Sequence, residues 1–168
     1  QLQPFERPLL KAVNIGVRYS AKLKDKEKIH LYYFDQKEGW SFIPTGNNKD
    51  RQVLTGELKH LDAIAILEDI TPPIIKSMHP GENGNYPSLE LNRFTIKIND
   101  TLSGFDPIED SFDLKLDNTP LIYAFQPKTK VISYELERPL QIGTHTIQFK
   151  VRDRAGNETS KNIEFKVY

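Results

Sequence analysis

Three aspartates stand where a hard cation could be held. Asp69 lies in Glu68-Asp69-Ile70-Thr71-Pro72-Pro73, Asp100 opens Asp100-Thr101-Leu102-Ser103-Gly104, and Asp153 opens Asp153-Arg154-Ala155-Gly156-Asn157. Carboxylates drawn from a connecting segment and two loops give the oxygen-rich surroundings that calcium takes. Asp100 and Asp153 have a second use, because Asp at the head of a turn accepts hydrogen bonds from backbone N–H groups two residues on. Whether both loops face the end where Asp69 enters is open at the level of sequence. The expectation is that Asp100 and Asp153 serve their own turns, and no metal site is assigned.

Other chemistry is harder to assemble. His30, His60, His79 and His145 are scattered singly, without the short spacings of a zinc site. Asp106, Glu109, Asp110 and Asp113 place carboxylates close enough in sequence for the paired acid–base work of a glycosidase. Adjacent charges in a Pro-containing loop read more simply as a solvated face. Ser103 and Ser111 lack a His and an Asp in a nucleophile motif. With no cysteine, thiol chemistry, disulfides and thiolate metal ligands are excluded. The assignment is therefore no catalytic residue, no cofactor and no enzyme within this chain.

The elements that must position these residues are strands. Phe94, Ile96 and Ile98 alternate with Thr95, Lys97 and Asn99, and Phe112, Leu114 and Leu116 with Asp113, Lys115 and Asp117. Ile147, Phe149 and Val151 alternate with polar neighbours, as do Ile163, Phe165 and Val167. Each run predicts a half-buried antiparallel strand. With weaker strands near Ile74–Met78, Leu121–Phe125 and Val131–Leu136, the count is about seven, the number in an immunoglobulin-like sandwich. Earlier in the chain, Val13, Ile15, Val17 and Tyr19 alternate, Ile29–Phe34 is apolar on both faces, Gly39-Trp40 opens a further strand, and Leu61–Leu67 is nearly continuously apolar. Lys22–Lys28 and Gly46–Arg51 read as polar hairpin loops. The stretch around Gln52–Leu61 has some helical periodicity but is broken by Gly56 and fits a strand as well. Pro72-Pro73 bars a central strand and makes a stiff link. The fold class is all-β: two small antiparallel β-sandwich domains in tandem, residues 1–69 and 70–168, the second immunoglobulin-like.

Tyr32, Tyr33, Phe34, Trp40 and Phe42 crowd two strands of the first domain. An exposed aromatic strip would suit stacking on sugar rings, whereas a small domain also uses such side chains to fill its core or a covered face. The second use is the expectation. Lys plus Arg and Asp plus Glu both number 23, and the balance holds in each half, so no charged field points to nucleic acid or anionic lipid. No apolar run reaches the ~18 residues of a membrane helix. The opening QLQPFERPLL does not read as a signal peptide, so if the parent protein is exported its signal is expected upstream.

The opening Asp69-Ile70-Thr71-Pro72-Pro73, the Asn99-Asp100-Thr101-Leu102-Ser103-Gly104 that follows, Leu140-Gln141-Ile142-Gly143-Thr144-His145-Thr146-Ile147, and the closing Asp153-Arg154-Ala155-Gly156-Asn157 occur in one order. In that order they resemble the bacterial immunoglobulin-like modules of exported proteins. In such sandwiches the tyrosine of the corner sits where His145 stands, five residues after Leu140, and a ring nitrogen could make its bond to the backbone. The whole chain also resembles the β region that follows the catalytic domain in some exported zinc peptidases of the M23 class. The His-x3-Asp and His-x-His ligands of those enzymes are absent here, so no catalytic residue carries over. What the resemblance implies is a non-catalytic spacer or docking region of an exported bacterial protein, periplasmic, cell-surface or secreted, appended to a cell-wall peptidase. Its partners would be neighbouring domains of the same parent chain, cell-wall glycan or a surface protein. A carbohydrate-binding module and a calcium-stiffened adhesin segment are the alternatives.

Overall fold

The computed structural model describes residues 8–22, 25–60, 63–106 and 111–168. The chain divides into two compact units, Gln1–Ile70 and Thr71–Tyr168. Among the described residues every regular element is a strand, and no helix is long and apolar enough to cross a membrane.

In the first unit the strands are β1 (Pro8–Arg18), β2 (Ile29–Asp35), β3 (Gly39–Ile43), β4 (Gly46–Asn48), β5 (Val53–His60) and β6 (Ile64–Glu68). They form two three-stranded sheets, ordered β1-β5-β4 and β3-β2-β6. Tyr19, Ile29, Leu31, Ile43, Leu54 and Leu58 make the core. Gly56, which disturbs the periodicity of β5, marks a close approach. A Cβ there would lie 2.8 Å from Ile43 Cγ2 and 3.2 Å from Leu31 Cδ1, both on the other sheet. The helical alternative for Gln52–Leu61 is overruled by the ladder that pairs Val53–Leu58 with β1. Two boundaries differ from expectation. Gly46–Asn48, read as loop, pairs with β5, and the late apolar strand runs Ile64–Glu68, with residues 61 and 62 outside the described set.

Among its described residues the second unit has nine strand segments: β7 (Ile74–His79), β8 (Asn85–Tyr86), β9 (Arg93–Asn99), β10 (Phe112–Leu116), β11 (Thr119–Pro120), β12 (Ala124–Gln126), β13 (Val131–Glu135), β14 (Gly143–Arg152) and β15 (Glu158–Val167). One sheet has the order β11-β10-β14-β15-β8 and the other β12-β13-β9-β7. The alternating residues named above close over one core: Phe94, Ile96, Ile98, Phe112, Leu114, Ile147, Phe149, Val151, Ile163, Phe165 and Val167 are all buried. The expectation of about seven strands is met by six longer ones and three of two or three residues. The expected strand at Leu121–Phe125 is shorter and later, Ala124–Gln126. Pairing is antiparallel except for the brief β8–β15 contact, which is parallel, because the chain reaches that edge by a long connection instead of a hairpin.

The sheet edges of this unit share a feature. Pro120 lies within β11, Pro87 follows β8, Pro127 follows β12, and Pro72-Pro73 precede β7, the four edge strands. Proline donates no ladder hydrogen bond. The longest of these edges, β7, also carries a bulge between Ile75 and Ser77 at the exposed Lys76.

Candidate metal centre

Strand β9 ends at Asn99, and Asp100 turns the chain out of it. Its Oδ2 accepts the amides of Leu102 (3.0 Å) and Gly104 (2.7 Å), and Gly104 closes the turn at φ +68°, a conformation open to glycine without strain. The Oδ1 of the same carboxylate is buried and has no hydrogen-bond partner. Asp153 does the corresponding work between β14 and β15. Its Oδ1 accepts the Asn157 amide and its Oδ2 the Asn157 side-chain Nδ2, each at 2.8 Å. The turn is completed by Asp153 N donating to Asn157 O (3.0 Å) and Gly156 N to Asp153 O (3.1 Å). The capping roles expected from the local sequence are thus both made.

What the sequence left open is where the two turns lie. The Arg154 amide donates to Gly104 O at 3.0 Å, so the turns are side by side, tied by a backbone bond. Asp69 lies in the connecting segment, two residues before the second unit opens. Its amide donates to Lys28 O at 2.9 Å. Asp69, Asp100 and Asp153 are 2%, 8% and 3% exposed.

An unpartnered buried oxygen such as Asp100 Oδ1 carries a desolvation cost of about 1–3 kcal/mol. The ammonium of Lys130 is close, but it is spent on Asn99 Oδ1 (2.9 Å) and the Asp100 carbonyl (3.4 Å).

The other candidate residues are placed less suggestively. His145 makes the corner bond expected of it, with Nε2 2.8 Å from Gln141 O, and its Nδ1 lies 2.6 Å from Asp117 Oδ2. Burial of the ring lowers its pKa, but the Gln141 carbonyl and the Asp117 carboxylate together outweigh this and raise it above the usual value. His30 goes the other way: burial lowers its pKa, opposed by the charge of Asp69 and aided by that of Lys28. Among the described residues, none of His30, His60, His79 and His145 belongs to a group of three metal-ligating side chains. Of the acidic run, Asp113 pairs with Lys115 (2.9 Å) and Asp106 faces Arg154 (4.0 Å), whereas Glu109 and Asp110 lie outside the described residues. Ser111 Oγ accepts the Asp106 amide at 3.2 Å, and Ser103 is buried. Among the aromatics, Tyr32 is fully buried and Tyr33 packs against the core of the first unit. Phe42 stands edge-on to Tyr32 at 5.7 Å. Phe34 (42% exposed) and Trp40 (36%) form an exposed T-shaped pair with centroids 5.2 Å apart.

No family model matches the chain, and no curated protein matches it. Several solved structures do. PcoC, a methionine-rich copper resistance protein from Escherichia coli, is 14% identical with a TM-score of 0.46, over 58% of this chain and 100% of that one. CopC from Methylosinus trichosporium OB3b is 15% identical with a TM-score of 0.44, over 56% and 92%. Dimeric latent PorU from Porphyromonas gingivalis is 14% identical with a TM-score of 0.44, over 95% of this chain and 22% of that one. The likeness is one of all-β fold, at a level that transfers no ligand, activity or location. The M23-class association expected from the sequence finds no support in it.

Proposed function

We propose that this chain is a non-catalytic accessory region, a spacer or docking element of an exported bacterial protein. The observation that supports the reading is how its reactive side chains are used. Asp100 and Asp153 cap turns, His145 is held through both ring nitrogens, Asp113 is ion-paired and Ser111 accepts a backbone amide. A general base or nucleophile must instead face a substrate with a free donor or acceptor. The attachment to a cell-wall peptidase remains part of this proposal. The test is to incubate the purified chain with peptidoglycan, peptides and glycosides; no turnover is expected. Activity that survives purification and disappears in a point variant of this chain would sink the reading.

The exposed Phe34–Trp40 pair favours one second reading, a glycan-binding surface, since aromatic faces stack on sugar rings. Pull-down on insoluble peptidoglycan and on cellulose separates the two. Retention lost in Trp40→Ala would establish glycan binding, and passage of the wild-type chain through both would remove it.

A further inference from the structure

We propose that the second unit carries a cleft for one pyranose ring of a polysaccharide, formed by Asn83, Asn85, Thr144, Glu164 and Lys166 with Tyr168 at its margin. The inference goes beyond the accessory role, since a spacer needs no ligand. It is also separate from the Phe34–Trp40 pair, which belongs to the first unit. Its basis is a cleft of about 160 Å³ where β14, β15 and β8 lie side by side. Asn83 lines it from the connection into β8, Asn85 from β8, Thr144 from β14, and Glu164 and Lys166 from β15. Ile163, Phe165 and Val167 are buried, so the residues between them face away from the core. Among the described residues, none of these five polar side chains is engaged in a hydrogen bond or an ion pair. Elsewhere on the same sheet such groups satisfy one another. Lys115 pairs with Asp113, Lys150 and Arg152 with Glu158, and Gln148 with Asn118.

The backbone beneath the cleft is fixed. Asn83 N donates to Glu164 O at 2.7 Å, Lys166 N to Gly84 O at 2.8 Å, and Tyr168 N to Tyr86 O at 3.1 Å. The connection into β8 is thus laced to β15, and little backbone ordering is left for a ligand to impose. The side chains select the ligand. Amides and a hydroxyl both donate and accept, a carboxylate only accepts, and an ammonium only donates. The hydroxyls of a pyranose, each a donor and an acceptor, satisfy all of these at once. A simple anion is repelled by Glu164 and a simple cation by Lys166, while an apolar ligand would desolvate the five groups without pairing them. A sugar ring also needs an apolar platform for its C–H face. Tyr168 follows the buried Val167 and so continues the face of Glu164 and Lys166. Its side chain is 64% exposed, and an aromatic face of this kind stacks on sugar rings. Size sets the last limit. The volume lies well below the ~300–1,000 Å³ of pockets that enclose drug-sized ligands, so the cleft takes one ring and leaves the rest of a glycan chain outside.

The experiment uses the full 168-residue chain, isotope-labelled for amide NMR and titrated with soluble cello-, malto- and chito-oligosaccharides. At least one of the three series should give shifts that saturate in the millimolar range and centre on Asn83, Asn85, Thr144, Lys166 and Tyr168. Asn85→Ala and Tyr168→Ala should each weaken that binding roughly fivefold or more, the loss expected for one hydrogen bond or one stacked ring. Tyr168→Ala keeps the backbone bonds of residue 168, so it should melt with the wild type and decides alone if Asn85→Ala does not fold. Trp40→Ala should leave the shifts and the affinity unchanged, which separates this cleft from a glycan surface on the first unit. The proposal is overturned if no series gives a saturable shift, if the shifts centre on Phe34 and Trp40, or if folded Tyr168→Ala binds as tightly as wild type.

Discussion

His145 is an ion-pair partner and a strand pin at once. Both ring nitrogens face oxygens, Gln141 O and Asp117 Oδ2, so the doubly protonated ring donates twice while a neutral ring donates only once. Its folded pKa is raised, so its contribution is fully present below the unfolded value near 6.5 and is lost as pH rises through the folded one. The destabilisation caused by His145→Ala should therefore be larger at pH 6 than at pH 8.5, as read by chemical denaturation. His30, with its lowered pKa, has the opposite sign: its burial as a neutral ring is penalised as pH falls through about 6.5. Imidazole NMR titrations should place His145 above that value and His30 below it; the reverse order would refute both assignments. The corner bond of His145 is legible in sequence because its acceptor is four residues away. The Asp117 partner is not, since 28 positions and a strand pairing intervene. Asp100 and Asp153 divide in the same way. Their turns are local and readable, but the Arg154–Gly104 backbone bond that sets the two turns side by side is encoded by no local pattern.

Among the elements, β5 illustrates packing overriding propensity. Valine favours strands, so Gly56→Val should help β5 if local preference ruled. The space is already taken by Ile43 and Leu31. Overpacking a close sheet-to-sheet contact costs typically about 1–3 kcal/mol, and the substitution should lower stability by that order in a urea titration. An unchanged or raised midpoint would show that the first unit can part its sheets there. The long strands of the second unit are legible because one face of each is buried, which fixes a period of two. The short pieces escape this reading. Residues 46–48, 85–86 and 119–120 are strand by virtue of their partners, and too few of them alternate to leave a pattern.

At the scale of the molecule, balanced charge and a pI of about 7.1 remove the net repulsion that keeps many proteins apart in solution. Solubility should therefore pass through a minimum near pH 7 and rise on either side, which a precipitation series would check. Against that background the prolines and the Lys76 bulge at the sheet margins acquire a different meaning. A flat unpaired strand is a template on which another copy can add. In the second unit a proline lies within β11 and prolines bound β8, β12 and β7, so each template is cut short by a missing N–H, and β7 adds a kink and a cation. Copies crowded together would then slide past one another without zipping into fibrils, even with no charge to separate them. Deleting Lys76 would straighten β7 while leaving Ser77, Met78 and His79 opposite the same partners. The product should bind thioflavin T and sediment at concentrations where the parent chain stays monodisperse.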